Sequence, residues 1–198
     1  MYQRMPKIET LVLATHNAGK VAEMTPALLS IAECVVSAAT LGLPEPAETG
    51  HDFLSNARIK AHAACRASNL PALADDSGLC VAALNGAPGL YSAWWAGPQK
   101  NFLAAMMQVN TLLGKNTNRR ASFVATLVLM WPDGREVVAE GRVDGDVVWP
   151  PRGAGGHGYD PLFVPEGDTR TFAEMTVTEK SQYSHRARAL KALVDQLS

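Results

Sequence analysis

A chain of 198 residues is about the length of one domain, or one domain with a lobe. A chain of that size buries roughly 70% of its unfolded surface, so it needs no disulfide or structural metal to fold. With 47% hydrophobic and 19% charged residues and a formal net charge of -1, it has an ordinary soluble composition and lacks the basic excess of a general nucleic-acid binder. A few basic side chains converging locally would still hold a small polyanion. Cys34, Cys65 and Cys80 form no CxxC pair and no metal-ligand spacing, and an odd count inside apolar or alanine-rich stretches points to buried free thiols in a reducing compartment. The opening MYQRMPKIET lacks the apolar core of a signal peptide, and no apolar run approaches the roughly 20 residues of a membrane helix. The expectation is one compact unit over 1–198, in the cytoplasm, with no membrane or nucleic-acid partner.

In chain order, Leu11 to Thr15 reads as a short strand leading through the turn HNAG into a helix. Val21, Met24, Leu28 and Leu29 share one face of that helix. A weak strand near Cys34 to Ser37 precedes the loop LGLPEPAETG, whose prolines and glycines exclude regular structure. From Asp52 to about Ser68 the pattern is helical, with Asp52 near its start and Phe53, Ala57, Ala61 and Ala64 as an apolar stripe. Two strands, PALAD and LCVAAL, are expected to flank the polar group DDSG, and NGAPGLYSAWWAGP is expected to be irregular. A helix follows over Gln99 to Leu113. SFVATLVLM and REVVAEGRV form a hairpin through WPDG, where Pro-Asp-Gly makes the turn. A strand DVVW precedes the loop PPRGAGGHGYDP. A closing helix runs from about Thr178 to Leu197, with Ala187, Leu190, Leu193, Val194 and Leu197 as its seam. Helices mixed with an antiparallel hairpin give an α/β fold with a mixed central sheet.

Four polar clusters sit at element ends, where scaffolds hold functional groups. Thr15 to Lys20 (Thr15, His16, Asn17, Ala18, Gly19, Lys20) lies between a strand and a helix start, where free N–H groups, the helix dipole and Lys20 favour an anion. It is not a Walker loop, and it reads equally as a capped helix start. The carboxylates of Asp75-Asp76-Ser77-Gly78 could hold Mg2+ or take a proton from water, or they could serve as an Asx-type turn or cap. Neighbouring side chains on extended backbone point opposite ways, so one of the two faces a site. In the glycine-rich Gly153 to Pro161, His157 and Tyr159 could stack on a planar ring and Asp160 could accept hydrogen bonds from it; the alternative is a surface loop. Lys180, His185 and Arg186 lie where a helix start favours acids, which calls for a compensating anion or an electron-rich ligand, unless they form a solvated charged face. Together these are the parts that hold a nucleoside triphosphate.

The ordered set LATHNAGK, ETG followed by F-x-x-N-A-x-x-K-A, LADDSGL, GAPGLYSA, GYDPLF and E-K-x-x-x-S-H-R-x-R-A-L, from Leu13 to Leu190, resembles the inosine triphosphate pyrophosphatases (XTP/dITP diphosphatases). The resemblance implies a mixed sheet with flanking helices, two lobes around a nucleotide cleft, and a homodimer. It also implies Mg2+-dependent hydrolysis of dITP, ITP and XTP to the monophosphate and pyrophosphate. By the same resemblance, Thr15 to Lys20 contacts the triphosphate, Lys60 binds phosphate, Asp76 serves as metal ligand and general base, and Ser77 contacts substrate. His157, Gly158, Tyr159 and Asp160 then belong to the base pocket, and Lys180, His185 and Arg186 read the purine's 6-oxo edge. Donors there match an oxo acceptor and mismatch adenine's amino group.

Three positions depart from the usual pattern: His157 replaces an aromatic before GYDP, Trp94 an arginine after YSA, and Ser55 a glutamate before NA. With Ser55 there, Glu45 or Glu48 must supply the second metal carboxylate, and Glu48 is preferred. Asp76 or Asp75 would orient or deprotonate the attacking water. Two rivals stand beside this reading: a septum-formation-type pyrophosphatase acting on modified pyrimidine nucleotides, against which SHR argues, and a nucleotide-binding protein without turnover. No GxSxG elbow points to a covalent nucleophile.

Overall fold

The computed structural model describes residues 7–197. Six strands form one mixed sheet in the order β2-β1-β3-β4-β5-β6, where β1 is Ile8–Leu13, β2 Ala32–Ser37, β3 Ala72–Val81, β4 Arg120–Met130, β5 Glu136–Val147 and β6 Phe163–Pro165. β1 runs parallel to both β2 and β3, while β5 and β6 are antiparallel. The helices are α1 (Ala18–Leu28), α2 (Phe53–Ser68), α3 (Ser92–Trp95), α4 (Phe102–Leu113), α5 (Val177–Lys180) and α6 (His185–Leu197). The chain divides into two compact units. Unit 1 holds the residues up to Asp76, Ala125–Gly141 and those from Arg186; unit 2 holds Ser77–Val124 and Arg142–His185.

In unit 1, α1 begins at Asn17, whose side chain accepts from the Gly19 and Lys20 N–H groups. α2 begins with a capping box between Asp52 and Ser55 and ends at Asn69 in a left-handed conformation, which lets its N–H return to the Cys65 carbonyl. The small Ala57, Ala61 and Ala64 let α2 lie close to Val12, Ala72 and Ala74 of the sheet. Met24 and Leu28 of α1 join Leu190 and Leu193 of α6 in a second apolar cluster with Leu11 and Leu127. In unit 2 a single cluster gathers Leu79, Val109, Phe123, Tyr159, Phe163 and Phe172. Gly145 of β5 has no room for a side chain, because a Cβ there would lie 2.2 Å from the Val164 carbonyl of β6.

Several sequence expectations need correction. The DDSG group does not separate two strands, since β3 runs unbroken through it from Ala72 to Val81. DVVW is not a separate strand: Asp146 and Val147 end β5, Val148 and Trp149 lie beyond it, and the three-residue β6 had no readable signal. α3 and a short 3-10 turn at Gly89–Tyr91 interrupt the stretch expected to be irregular, and a second 3-10 turn at Ala82–Leu84 replaces the end of the expected strand LCVAAL. The closing helix is two helices, because α5 stops at Lys180 and α6 starts at His185. Leu29 is the exposed C-terminal cap of α1 rather than part of its buried face, and of the three thiols expected to be buried Cys65 is, Cys80 is half-buried and Cys34, on the edge strand β2, is exposed.

Candidate active site

Asp75 and Asp76 sit at the end of the unit 1 part of β3, and the alternation of an extended strand sends them to different partners. The Asp75 carboxylate accepts from Lys20 Nζ at 2.5 Å and from Arg186 Nη2 at 3.2 Å. Arg186 Nη1 in turn donates to Glu23 at 2.6 Å, and the arginine side chain is only 4% exposed. Burial alone would raise Asp75, but Arg186 and Lys20 outweigh it and hold the carboxyl well below the usual carboxylate range. Burial lowers Lys20, with Asp75 opposing, and Arg186 is raised by Asp75 and Glu23 against its own burial.

Asp76 belongs to a second cluster. Lys60 Nζ, from the buried face of α2, donates to Asp76 at 2.6 Å and to Glu48 at 2.7 Å. One ammonium therefore serves two carboxylates. Burial pushes Asp76 up to about 6, Lys60 opposes this, and Glu48 adds to it. Lys60 is itself raised, since Asp76 and Glu48 overcome the effect of its burial. A carboxyl that titrates near neutrality in a buried site suits proton transfer, which the strongly acidic Asp75 does not.

The turn from Thr15 to Lys20 is more self-satisfied than its sequence implied. Gly19 and Lys20 N–H donate to Asn17 Oδ1 at 2.9 and 3.3 Å, and Asn17 N–H donates to Thr15 Oγ1 at 3.1 Å. His16 Nε2 donates to the Leu43 carbonyl at 2.8 Å; because a carbonyl only accepts, that nitrogen carries the proton. Lys20 adds its charge at the same end of α1.

In unit 2, Asp160 is buried, with its Oδ2 accepting from Lys180 Nζ at 2.5 Å and from the His157 N–H at 2.8 Å. Gly156, at φ +68, could carry no side chain there: its Cβ would stand 2.2 Å from that same Oδ2. Asp160 thus closes the glycine-rich loop on itself and on α5. The Tyr159 ring is spent on the core, meeting Phe102 edge to face and donating its hydroxyl to the Ser92 carbonyl at 2.9 Å, so His157 is the exposed aromatic of this loop. Ser92 also accepts from Leu79 N–H and donates to the Gly89 carbonyl, while a Cβ on Gly78 would fall 2.2 Å from that carbonyl. The SGL and GAPGLYS motifs are two sides of one close backbone approach. His185 is buried against Phe123, with rings stacked at 4.8 Å and 13°. The cationic mismatch expected around Lys180 and Arg186 is answered by the protein's own anions, Asp160 for the first and Glu23 with Asp75 for the second.

Residues 11–196 match the Ham1 family. The chain belongs to the Ham1 family. It is 54% identical over 195 residues to the dITP/XTP pyrophosphatase of Gluconobacter oxydans, covering 98% of this chain and 94% of that one. Among solved structures it resembles a HAM1 protein from Coxiella burnetii, with a TM-score of 0.88 and 37% identity over 96% of this chain and 98% of the other. It also resembles the nucleoside-triphosphatase / dITP/XTP pyrophosphatase from Mycobacterium abscessus, at a TM-score of 0.76 and 42% identity over 93% and 98%.

The Ham1 match spans both units, and the sequence motifs sort between them. LATHNAGK, ETG, the Lys60 segment and the two aspartates lie in unit 1; SGL, GAPGLYSA, GYDPLF and the segment from Glu179 to His185 lie in unit 2, with Ser77 as the half-buried first residue of that unit. Ser55, where a glutamate was expected, is spent on the α2 cap, and Trp94 is 78% exposed. Sequence reasoning missed Glu23 and Phe123. Glu23 had a usable signal, since its i+3 spacing from Lys20 puts both on one helical face; Phe123 had none, being one apolar residue in an apolar strand.

Proposed function

We propose that this Ham1-family chain hydrolyses the non-standard purine nucleoside triphosphates dITP, ITP and XTP to the nucleoside monophosphate and pyrophosphate, keeping them out of the nucleotide pool. The observation that carries the reaction is the 54% identity, over 98% of this chain, with an enzyme named dITP/XTP pyrophosphatase. In our reading water attacks the α-phosphorus, the bond to the bridging α–β oxygen breaks, pyrophosphate leaves, and Asp76 accepts the proton. The Asp76 carboxyl, raised to about 6 by burial, favours this role. Asp75 is assigned to hold Lys20 and Arg186 in place. Lys20, Lys60 and the turn of Thr15, His16, Asn17, Ala18 and Gly19 are assigned to the phosphates, with Ser77 as a further substrate contact. His157, Gly158, Tyr159 and Asp160 are assigned to the base loop, His157 by contact and Tyr159 and Asp160 by shaping it. Lys180, His185 and Arg186 are assigned to discrimination of the 6-oxo edge.

The cofactor we propose is Mg2+, held by Asp76 and Glu48. The donor set fits: two carboxylates already gathered on one ammonium suit a cation that takes few protein ligands and keeps waters. Among the described residues no group of three or more His, Cys, Asp or Glu is gathered, so water and phosphate oxygens would complete the shell. When bound, Mg2+ supplies positive charge against the phosphate oxygens. We further propose a homodimer, as the family resemblance implies, and a cytoplasmic location. The free thiols of Cys34, Cys65 and Cys80 suit the latter, and among the described residues no helix is long and apolar enough to cross a membrane.

The test is pyrophosphate release from dITP, XTP, dGTP, dATP and a methylated UTP, with and without Mg2+. Preference for dITP and XTP over dGTP and dATP by about 100-fold or more, dependent on Mg2+, is expected. Tight dITP binding without pyrophosphate release would overturn the enzymatic reading.

A further inference from the structure

The segment that carries Glu48 has almost nothing of its own to hold it. Residues 43–50 form no helix or strand, and among the described residues no backbone–backbone hydrogen bond involves 44–49. A side chain on such a segment is placed only by what fastens the segment, because each loose residue keeps its backbone conformational freedom.

Fastenings exist at both ends. At the first, the Leu43 N–H donates to the Ala38 carbonyl at 3.0 Å, and His16 Nε2 donates to the Leu43 carbonyl, the side that faces into the arm, at 2.8 Å. At the second, the Gly50 N–H donates to Asn56 Oδ1 at 2.8 Å, and the His51 and Asp52 N–H groups donate to Ser55 Oγ at 3.1 and 3.2 Å. Asn56 is only 2% exposed, and Gly50 packs so closely on it that a Cβ there would lie 2.6 Å from its Oδ1 and 2.4 Å from Ser55 Oγ. Between the two anchors stand Pro44 and Pro46, whose rings fix φ and hold Leu43 and Glu45 extended. A short stiff arm pinned at both ends leaves Glu48 little choice of position, and it meets Lys60 at 2.7 Å beside Asp76.

We infer that His16 and Asn56 are positioning residues for the cation site: by fastening the two ends of the 43–50 arm they set Glu48 beside Asp76. The inference rests on the proposed reading of Glu48 as a metal ligand. It gives Ser55 a function as well, since that residue caps α2 and secures the same end of the arm. It also gives His16, at the phosphate turn, a side-chain task separate from contact with the triphosphate.

The test is Mn2+ binding to the whole, nucleotide-free protein, titrated by electron paramagnetic resonance. His16→Ala and Asn56→Ala should each weaken Mn2+ binding about 10-fold, the range expected when a group that orients a ligand is removed. His16→Gln, which keeps a side-chain N–H to donate, should retain the wild-type affinity. In a Glu48→Gln background neither alanine substitution should weaken binding further, because the ligand they position is already altered. Should Asn56→Ala fail to fold, the surface His16 variants carry the comparison alone. Wild-type Mn2+ affinity in His16→Ala, or an equal added loss in the Glu48→Gln background, overturns the inference while leaving Glu48 as a ligand. Wild-type affinity in Glu48→Gln itself overturns both.

Discussion

Asp75 and Asp76 are adjacent residues of one strand, and their surroundings drive them apart. Asp75 is saturated with charge, with the half-buried Lys20 and the buried Arg186 on its carboxylate and a second acid, Glu23, sharing the arginine. Asp76 is undersupplied, because the one cation that pairs with its carboxylate among the described residues, Lys60, is divided with Glu48. The first arrangement locks a carboxylate in its ionised form and makes it a fixture. The second leaves a carboxyl whose ionisation is costly until more positive charge arrives, which suits the cation-binding role proposed for it. Ion-pair supply thus separates a fully paired acid from an under-paired one, although the residue type and strand are the same, and the proposed function makes the second the reactive one.

The comparison breaks most visibly if Asp75 is removed. Asp75→Ala leaves Lys20 and Arg186 short of their shared anion, and unfolding free energy should fall by about 3–5 kcal/mol in urea titration. Glu23→Gln keeps an acceptor for Arg186 but not its charge, and about 1–2 kcal/mol should be lost in the same measurement. The exposed pair Arg58–Glu136, equally short at 2.6 Å, is the control: Arg58→Ala should change stability by less than about 1 kcal/mol.

Acidity sharpens the contrast, since the two shifts have opposite signs. The folded-state pKa of Asp75 is depressed, so its stabilisation is present above the unfolded value of about 4 and is lost as pH falls below it. Asp76 is raised to about 6, so its ionisation opposes folding increasingly as pH climbs from the unfolded value through 6. Mg2+ should relieve that opposition. Its addition should raise the melting temperature more at about pH 8 than at about pH 5, and Asp76→Asn should abolish the difference.

The sequence exposed the motifs but not their wiring. Asn17 and Asp52 were legible as helix starts because capping is a local interaction, and the hairpin through Asp133-Gly134 was legible because its turn chemistry is local too. DDSG resembles a turn in sequence because its four residues are small or polar. It is strand because its charges are met by Lys20, Lys60 and Arg186, which lie far away in sequence. The division of the closing helix at residues 181–184 escaped periodicity, since apolar spacing carries across a short interruption. The sequence leaves open whether Lys180 and Arg186 meet an anion, an electron-rich ligand or solvent, because their partners, Asp160 for the first and Glu23 with Asp75 for the second, are tertiary facts.

The most direct test of the account is pyrophosphate release from dITP at saturating Mg2+ by Asp76→Asn, with its melting temperature measured on the same preparation. The account predicts a barrier higher by about 3 kcal/mol, on the order of a 100-fold loss of kcat, in a protein at least as stable as the wild type at about pH 8. Activity within a few-fold of wild type in that folded variant would contradict it.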